Sequence, residues 1–323
     1  MASPPAPLTA AQPLHLLWVA LRLLGPLGLA VAAAWGLDHM CQRRGLMPPG
    51  FRQPWRRAAA GALVAAILWI GIFSPLSGIG TPLRQEDLSK VPPVELFLLH
   101  ALMAAAVLGW FVLGFAVRQP AAAAAAPAQV AAAGGWPAPG GLDAPAAGVR
   151  WSDFARQVAR QLGLVAPSIG REVALGAALG LAAWAAVLVV LFATAVAVWA
   201  VAGEGALPKP SAIVPWIAAL PIAVRALVSL SAGFVEEIFF RGFLQPRIGI
   251  LLSTAFFVLA HVSYGQPLML VGITLLSLIY GSLVRWRQTI WPAIAAHSLF
   301  DGIQLLVIIP AAMRLMGQAG GAH

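Results

Sequence analysis

Eight apolar stretches constrain this chain more than any other feature. They run about Leu14–Gly36, Ala58–Gly78, Val94–Val117, Val173–Val201, Pro215–Leu244, Ile248–Val262, Leu268–Val284 and Ile290–Ala312. Most match or exceed the ~20 residues that carry a helix across a bilayer. Inside lipid no water can satisfy backbone N–H and C=O groups, so such stretches must be helical. Only 10% of residues are charged and mean hydropathy is +0.86, against about 25% charged in ordinary soluble domains. The expected fold is therefore an all-α polytopic membrane protein of about eight transmembrane helices. Segment six is short and reads as tilted or partly enclosed.

The net charge of +9 is carried almost wholly by arginine. Nucleic acid is not the implied partner, because the arginines fall in loops between apolar segments. Arg43, Arg44, Arg52, Arg56 and Arg57 separate segments one and two; Arg118, Arg150, Arg156, Arg160 and Arg171 separate three and four. Arg247 follows segment five, and Arg285 and Arg287 follow segment seven. The other side has only Arg84, Lys90, Lys209 and Arg314. The positive-inside rule then places the arginine-rich loops in the cytoplasm and both termini outside. The preference for Arg over Lys, with abundant Ala, points to a high-GC genome and so to a multi-pass protein of a bacterial inner membrane. No cleavable signal peptide is expected, since Met1–Pro13 lacks a basic region. Cys41 is the single cysteine; it excludes an intrachain disulfide and reads as a loop residue.

The chain divides at a linker. Residues 1–118 form an N-terminal three-span region, and 119–150 an Ala/Pro/Gly-rich cytoplasmic linker. In 151–170, Trp151, Phe154, Val158 and Leu162 share a helical face opposite Arg156 and Arg160, with Ser152 as a cap. That pattern fits an amphipathic interfacial helix or one packed on the bundle. Residues 171–323 form a C-terminal five-helix unit, expected to be the catalytic core. No internal repeat is evident.

All the candidate chemistry lies in this last unit. Glu236 and Glu237 are adjacent acids inside an apolar segment, with Arg241 one turn after Glu237. His261 lies in the next segment, and His297 with Asp301 one turn later in the last. Ionisable groups at membrane depth are costly and mark functional sites unless paired for structure. Counted at 1.5 Å per residue from Arg247 and Arg287, Glu237 lies about 15 Å deep, His261 about 20 Å and His297 about 15 Å. Three helices can therefore bring these groups together. Hydrolysis needs a water, a base and an oxyanion donor. Glu236 is the candidate base, because burial in apolar surroundings makes a carboxylate a usable one. Glu237 is better placed to pair with Arg241, although the opposite assignment stays open. His261 can share the water, and His297 with Asp301 can support the oxyanion or orient each other. His100, at the start of segment three, reads as a structural hydrogen-bonder, Arg225 as a structural or cavity-lining cation, and Arg22 as a helix–helix contact.

These motifs resemble the CPBP family of intramembrane proteases, which includes Rce1-type CAAX prenyl endopeptidases and bacterial Abi-type proteins. The family pattern EExxxR, FxxxH and HxxxN or HxxxD stands here as Glu236-Glu237-Ile238-Phe239-Phe240-Arg241, Phe257-Val258-Leu259-Ala260-His261 and His297-Ser298-Leu299-Phe300-Asp301. The match covers roughly Ala212 to Ile309. The resemblance implies an endopeptidase in which Glu236 and His261 activate water while His297 and Asp301 stabilise the oxyanion. Its substrate would be a membrane-anchored or C-terminally tailed protein, processed for sorting, maturation or bacteriocin immunity. Asp301 departs from the frequent Asn, and a carboxylate donates a hydrogen bond only when protonated. Asp301 can instead orient His297 or help hold a metal. Glu and His are zinc ligands, yet HExxH is absent, so no cofactor is assigned and a divalent metal such as zinc stays open. Neither a GxSG serine site nor a GxGD aspartyl site is present. Two other readings compete: a proton- or ion-coupled transporter, and a membrane peptide-binding protein that does not cut.

Overall fold

The computed structural model describes residues 11–78, 90, 92–116, 151–207 and 212–320. Among these every regular element is helical, as the apolar pattern requires. The 119–150 linker lies outside the described residues.

In chain order the helices are α1 (Ala11–Arg43), α2 (Pro54–Leu68), α3 (Glu95–Phe115), α4 (Trp151–Gln161), α5 (Ile169–Ala202), α6 (Ile213–Ala219), α7 (Ile222–Glu237), α8 (Ile250–Ala260), α9 (Pro267–Arg287), α10 (Trp291–Ile303) and α11 (Ile309–Gly320). Wide π-helical turns extend three of them: Trp69–Phe73 after α2, Ile238–Leu244 after α7, and Gln304–Ile308 after α10. Each of the eight apolar stretches coincides with helix, but not each is a simple span. Five helices among the described residues are long and apolar enough to cross a membrane, six if a bent pair counts as one.

That bent pair corrects segment five, which is two helices. α6 meets the helix beginning at Ile222 at 118°. The cause is Pro221: Leu220 before it is extended, at φ −66°, ψ 147°, because proline disfavours the α region in its predecessor. Segment six shrinks to the 11 residues of α8, and it is partly enclosed: Ser253, Thr254 and Phe257 are buried while Leu251 and Leu252 stay exposed. The tight reversal into α8 falls at Gly249, at φ +86°, a backbone state that glycine adopts without strain.

Burial explains why α5 belongs in lipid. Of its 34 residues only Glu172, Gly176, Gly180, Ala183 and Val187 are buried, a single stripe at helical spacing. The remainder, including Phe192 and Val201, presents apolar side chains outward, as a lipid-facing helix does. The stripe packs on α10. A Cβ added at Gly180 would come within 2.6 Å of the Ala296 Cα, so the two backbones approach as small residues in membrane helices permit. Gly233 on α7 lies equally tight against Ser298 on α10, and the Ser229 hydroxyl donates to the Ser298 carbonyl at 2.7 Å. These contacts fix α10 against both neighbours beside His297. Gly180→Val should therefore lower stability by about 1–3 kcal/mol through forced separation of α5 and α10. Gly170→Ala, at a position with nothing within 4 Å, should change it little. Thermal unfolding of the two variants in detergent makes the comparison.

The two halves share one core. Leu37, Val64, Trp110 and Phe111 from the first three helices pack in the same cluster as Phe154, Phe239, Phe243 and Phe257. α4 covers only 151–161 of the stretch expected to be an amphipathic helix, and Ser152 lies inside it rather than capping it. Its apolar face carries Phe154 into the core while Trp151 stays exposed. The chain leaving α4 is tied to the start of α10: Thr289 Oγ1 donates to the Gly163 carbonyl at 2.7 Å and Trp291 Nε1 to the Leu164 carbonyl at 2.8 Å.

Two sequence readings need correction. Cys41 lies inside α1 and is buried, not in a loop. Arg247 is no loop cation: it is 4% exposed, with its guanidinium 4.4 Å from the ring centres of both Trp110 and Phe243. Its Nη1 donates to the Phe243 carbonyl at 2.5 Å. Aromatic faces attract the cation and the carbonyl accepts a hydrogen bond from it, so it serves as an interior strut and loses its value as a marker of depth. Arg287 does sit at a helix end, in a two-pronged ion pair with Glu172 at 2.6 and 2.9 Å.

Candidate active site

The candidate residues divide between a cavity and a buried polar network beside it. Glu236 and His261 line a small pocket of about 70 Å³ together with Phe239, Phe240, Ala260 and Tyr264. The opposite wall is Ile67, Gly71, Ile72, Leu99 and Met103. That wall comes from α2, its π turn and α3, so the N-terminal region closes a site whose six candidate residues all lie in the C-terminal half.

Around Glu236 polar contacts are sparse. Its Oε1 lies 3.5 Å from His100 Nε2, and its Oε2 is buried with no hydrogen-bond partner. His261 Nδ1 is 2.7 Å from the Phe257 carbonyl. Only a protonated Nδ1 suits a carbonyl acceptor, which in the neutral ring leaves Nε2 as an acceptor. Tyr264 holds the other side of that ring, edge-on at 5.4 Å.

Glu237 occupies a different setting. Its side chain is fully buried. One oxygen, Oε1, meets both Arg241 Nη1 at 2.9 Å and His297 Nδ1 at 2.8 Å. The arginine contact is an ion pair whose angle does not align as a hydrogen bond, since Nη1 has no hydrogen-bond partner. Arg241 Nη2 donates to Ser277 Oγ at 3.0 Å, which in turn donates to Thr254 Oγ1 at 3.0 Å. His297 Nε2 faces Asp301 Oδ2 at a longer 3.5 Å. The two i,i+4 pairs, Glu237–Arg241 and His297–Asp301, are thus both in contact.

Phe257 joins the two parts. Its ring lies 4.7 Å from His261 and 5.9 Å from His297, and the Arg241 guanidinium stacks 4.2 Å over it. Tyr280 stacks on the far side of His297 at 5.4 Å and 23°, with a buried hydroxyl that has no partner. The local fold explains the separation of the two glutamates. Gly233, one turn before Glu237, lets α7 touch α10 and aims Glu237 at His297. Glu236, the neighbouring residue, turns towards α3 and the cavity. The π turn that begins at Ile238 then buries Phe239, Phe240, Arg241 and Phe243; such widened turns are frequent at functional sites.

Sequence reasoning missed two neighbours of the site, Tyr264 and Tyr280, and read a third, His100, as a structural hydrogen-bonder. His100 meets Glu236 from α3, Tyr280 stacks on His297, and Tyr264 lines the cavity. The only signal for any of them was the placement of His100 in an apolar segment. Arg225, read as a structural or cavity-lining cation, does both: its Nη1 donates to the Leu305 carbonyl, in the last π turn, at 2.9 Å, and it lines a pocket with Arg314. Among the described residues no three His, Cys, Asp or Glu side chains converge as a metal-holding group.

A helical membrane bundle with acids, histidines and an arginine gathered in its interior is the class this geometry defines. Residues 216–303 match the family model described as type II CAAX prenyl endopeptidase Rce1-like, and that stretch contains all six candidate residues. Among curated proteins, a 77-residue stretch is 29% identical to "Uncharacterized protein YpbD" of Bacillus subtilis (strain 168), covering 24% of this chain and 41% of that protein. The match thus spans about two fifths of that relative's length. No solved structure matches. The family match and the apolar helices together make this an integral membrane protein, and the family points to a protease.

Proposed function

We propose that the chain is an intramembrane endopeptidase that cleaves a membrane-anchored or C-terminally tailed protein near its C-terminus. One observation carries the reading: Glu236 and His261, from separate helices, face a single apolar cavity, each with an acceptor atom free of protein partners. A water held between Glu236 Oε2 and His261 Nε2 would lose a proton to the carboxylate as its oxygen attacks the scissile carbonyl, and Glu236 would then pass that proton to the amine nitrogen that leaves as the C–N bond breaks. Glu237 is the companion acid, neutralised by Arg241 and holding His297 through Nδ1. The carbonyl oxygen, becoming an oxyanion, would compete with Asp301 for the Nε2 proton of His297. In this scheme Asp301 orients the ring and does not itself donate, which accommodates Asp where the family often has Asn. The apolar wall from α2 and α3 suits an apolar substrate segment, and the 1–118 region then acts as part of the enzyme. Processing of bacterial sorting tails, maturation of peptides and bacteriocin immunity are the roles that fit such a substrate.

The test is cleavage by purified protein in vesicles, using a peptide with an apolar C-terminal anchor. Wild type should release a defined C-terminal fragment, and His261→Ala should reduce kcat by about 10²–10⁴-fold, the usual worth of general acid–base catalysis. Equal turnover by His261→Ala would remove the histidine from the mechanism.

A further inference from the structure

Across the cavity, α3 brings one titratable side chain to the glutamates. His100 is mostly buried, with 12% of its side chain exposed. Its Nε2 lies 3.5 Å from Glu236 Oε1, and its Nδ1 lies 3.0 Å from Ser231 Oγ on α7. Ser231 is anchored in turn to the Val228 carbonyl at 3.1 Å. The ring is therefore held at both nitrogens, by one residue a turn before the glutamates and by Glu236 itself. Ser231 Oγ gives its one hydrogen to the Val228 carbonyl and so accepts from Nδ1–H, while an ionised carboxylate only accepts, so Nε2 presents an N–H as well. Nε2–H thus faces Glu236 Oε1 at 3.5 Å and leaves Oε2, buried without a partner, as the free oxygen.

We propose that His100 is a positioning residue for Glu236, supplied by the N-terminal region to a site otherwise built from the C-terminal half. The inference rests on the reading of Glu236 as the general base. Three features make it more than core packing. A histidine used only to satisfy its own polarity could bond a backbone carbonyl, as His261 does; His100 instead spans from Ser231 to a carboxylate on the same helix. Among the described residues Glu236 has no other hydrogen-bond or ion-pair partner, so its rotamer is otherwise set by apolar contacts alone. Leu99 and Met103, beside His100 and one turn later, line the same cavity, so α3 presents a continuous face to the site. The same contact gives the N-terminal spans a role. They complete the cavity wall and fix the acid, so the C-terminal half alone would hold an unsupported base.

The experiment uses the full-length protein in vesicles and compares wild type, His100→Ala and His100→Gln. The glutamine amide can place an N–H near the Nε2 position. A hydrogen bond to a charged group is worth about 1.5–3 kcal/mol, so His100→Ala should lower kcat about 10- to 100-fold. KM should hold, and His100→Gln should recover most of the rate. A second readout does not need cleavage. Dicyclohexylcarbodiimide attacks protonated carboxyls in apolar surroundings, and a donor to the carboxylate favours its ionised form. Labelling at Glu236, resolved from Glu237 by fragment mass spectrometry, should rise severalfold in His100→Ala and return to the wild-type level in His100→Gln. Unchanged kcat and unchanged labelling in His100→Ala overturn the proposal. So does an equal loss in both variants accompanied by a lowered unfolding temperature, the signature of a packing role. If Glu236→Ala cleaves like wild type, the base assignment has failed instead, and the labelling arm still decides whether His100 holds Glu236.

Discussion

Glu236→Ala is expected to leave the bundle folded and to reduce kcat by about 10²–10⁴-fold. The two halves of this expectation come from different observations. Glu236 contributes little to packing: its side chain borders the cavity, Oε2 has no partner and Oε1 has only the 3.5 Å contact with His100. Its removal relieves a buried charge and breaks only the contact with His100, whose ring stays held by Ser231. The chemical loss follows from its place beside His261 at the one apolar pocket that holds both. Circular dichroism and thermal unfolding in detergent, run beside the cleavage assay, separate the two effects. Loss of fold in Glu236→Ala would mean that the acid is structural.

Arg241→Ala should behave oppositely and destabilise the protein by about 3–5 kcal/mol, because it leaves a buried charge without its partner. Arg241 is 1% exposed and stands among the largest fully buried side chains. It neutralises Glu237, donates to Ser277 and covers the Phe257 ring at 4.2 Å. Arg241→Lys keeps the charge but loses the fork that reaches Glu237 and Ser277 together, so its stability should fall between wild type and alanine. The double variant Glu237→Gln with Arg241→Met removes both charges at once. It should recover much of the stability lost by Arg241→Ala, yet remain poor in turnover because His297 loses its carboxylate partner. Chemical unfolding in mixed micelles orders the four proteins. A double variant no more stable than Arg241→Ala would show that the ion pair itself, rather than the unpaired acid, sets the cost.

The helical class and the two pairs four residues apart were legible in the sequence because both depend on local spacing. An acid and a base four residues apart share a helix face whatever the rest of the chain does, and Glu237–Arg241 and His297–Asp301 do so here. Apolar stretches likewise identify helices in lipid without any tertiary information. The parts that escaped depend on contacts distant in the chain. His100 precedes Glu236 by more than a hundred residues, and no local pattern distinguishes it from a histidine satisfying itself. Arg247 looked like a loop cation because its aromatic cage comes from α3 and from the π turn. The break at Leu220–Pro221 did have a local signal, a proline in mid-segment, outweighed by unbroken hydropathy on both sides. The close approach at Gly180 and Gly233 was similarly present as small residues at helical spacing, but the partner helix was not.

The central claim is that this chain cuts peptide bonds through Glu236 and His297, and the most direct test is made in the native host. Membranes carrying wild type, Glu236→Ala or His297→Ala, each verified as inserted and folded, are compared for the C-terminal peptides of their proteins. The account predicts that a specific set of C-terminal fragments present with wild type is missing with both variants, and that their uncut precursors accumulate. An identical C-terminal peptidome in all three strains would contradict it.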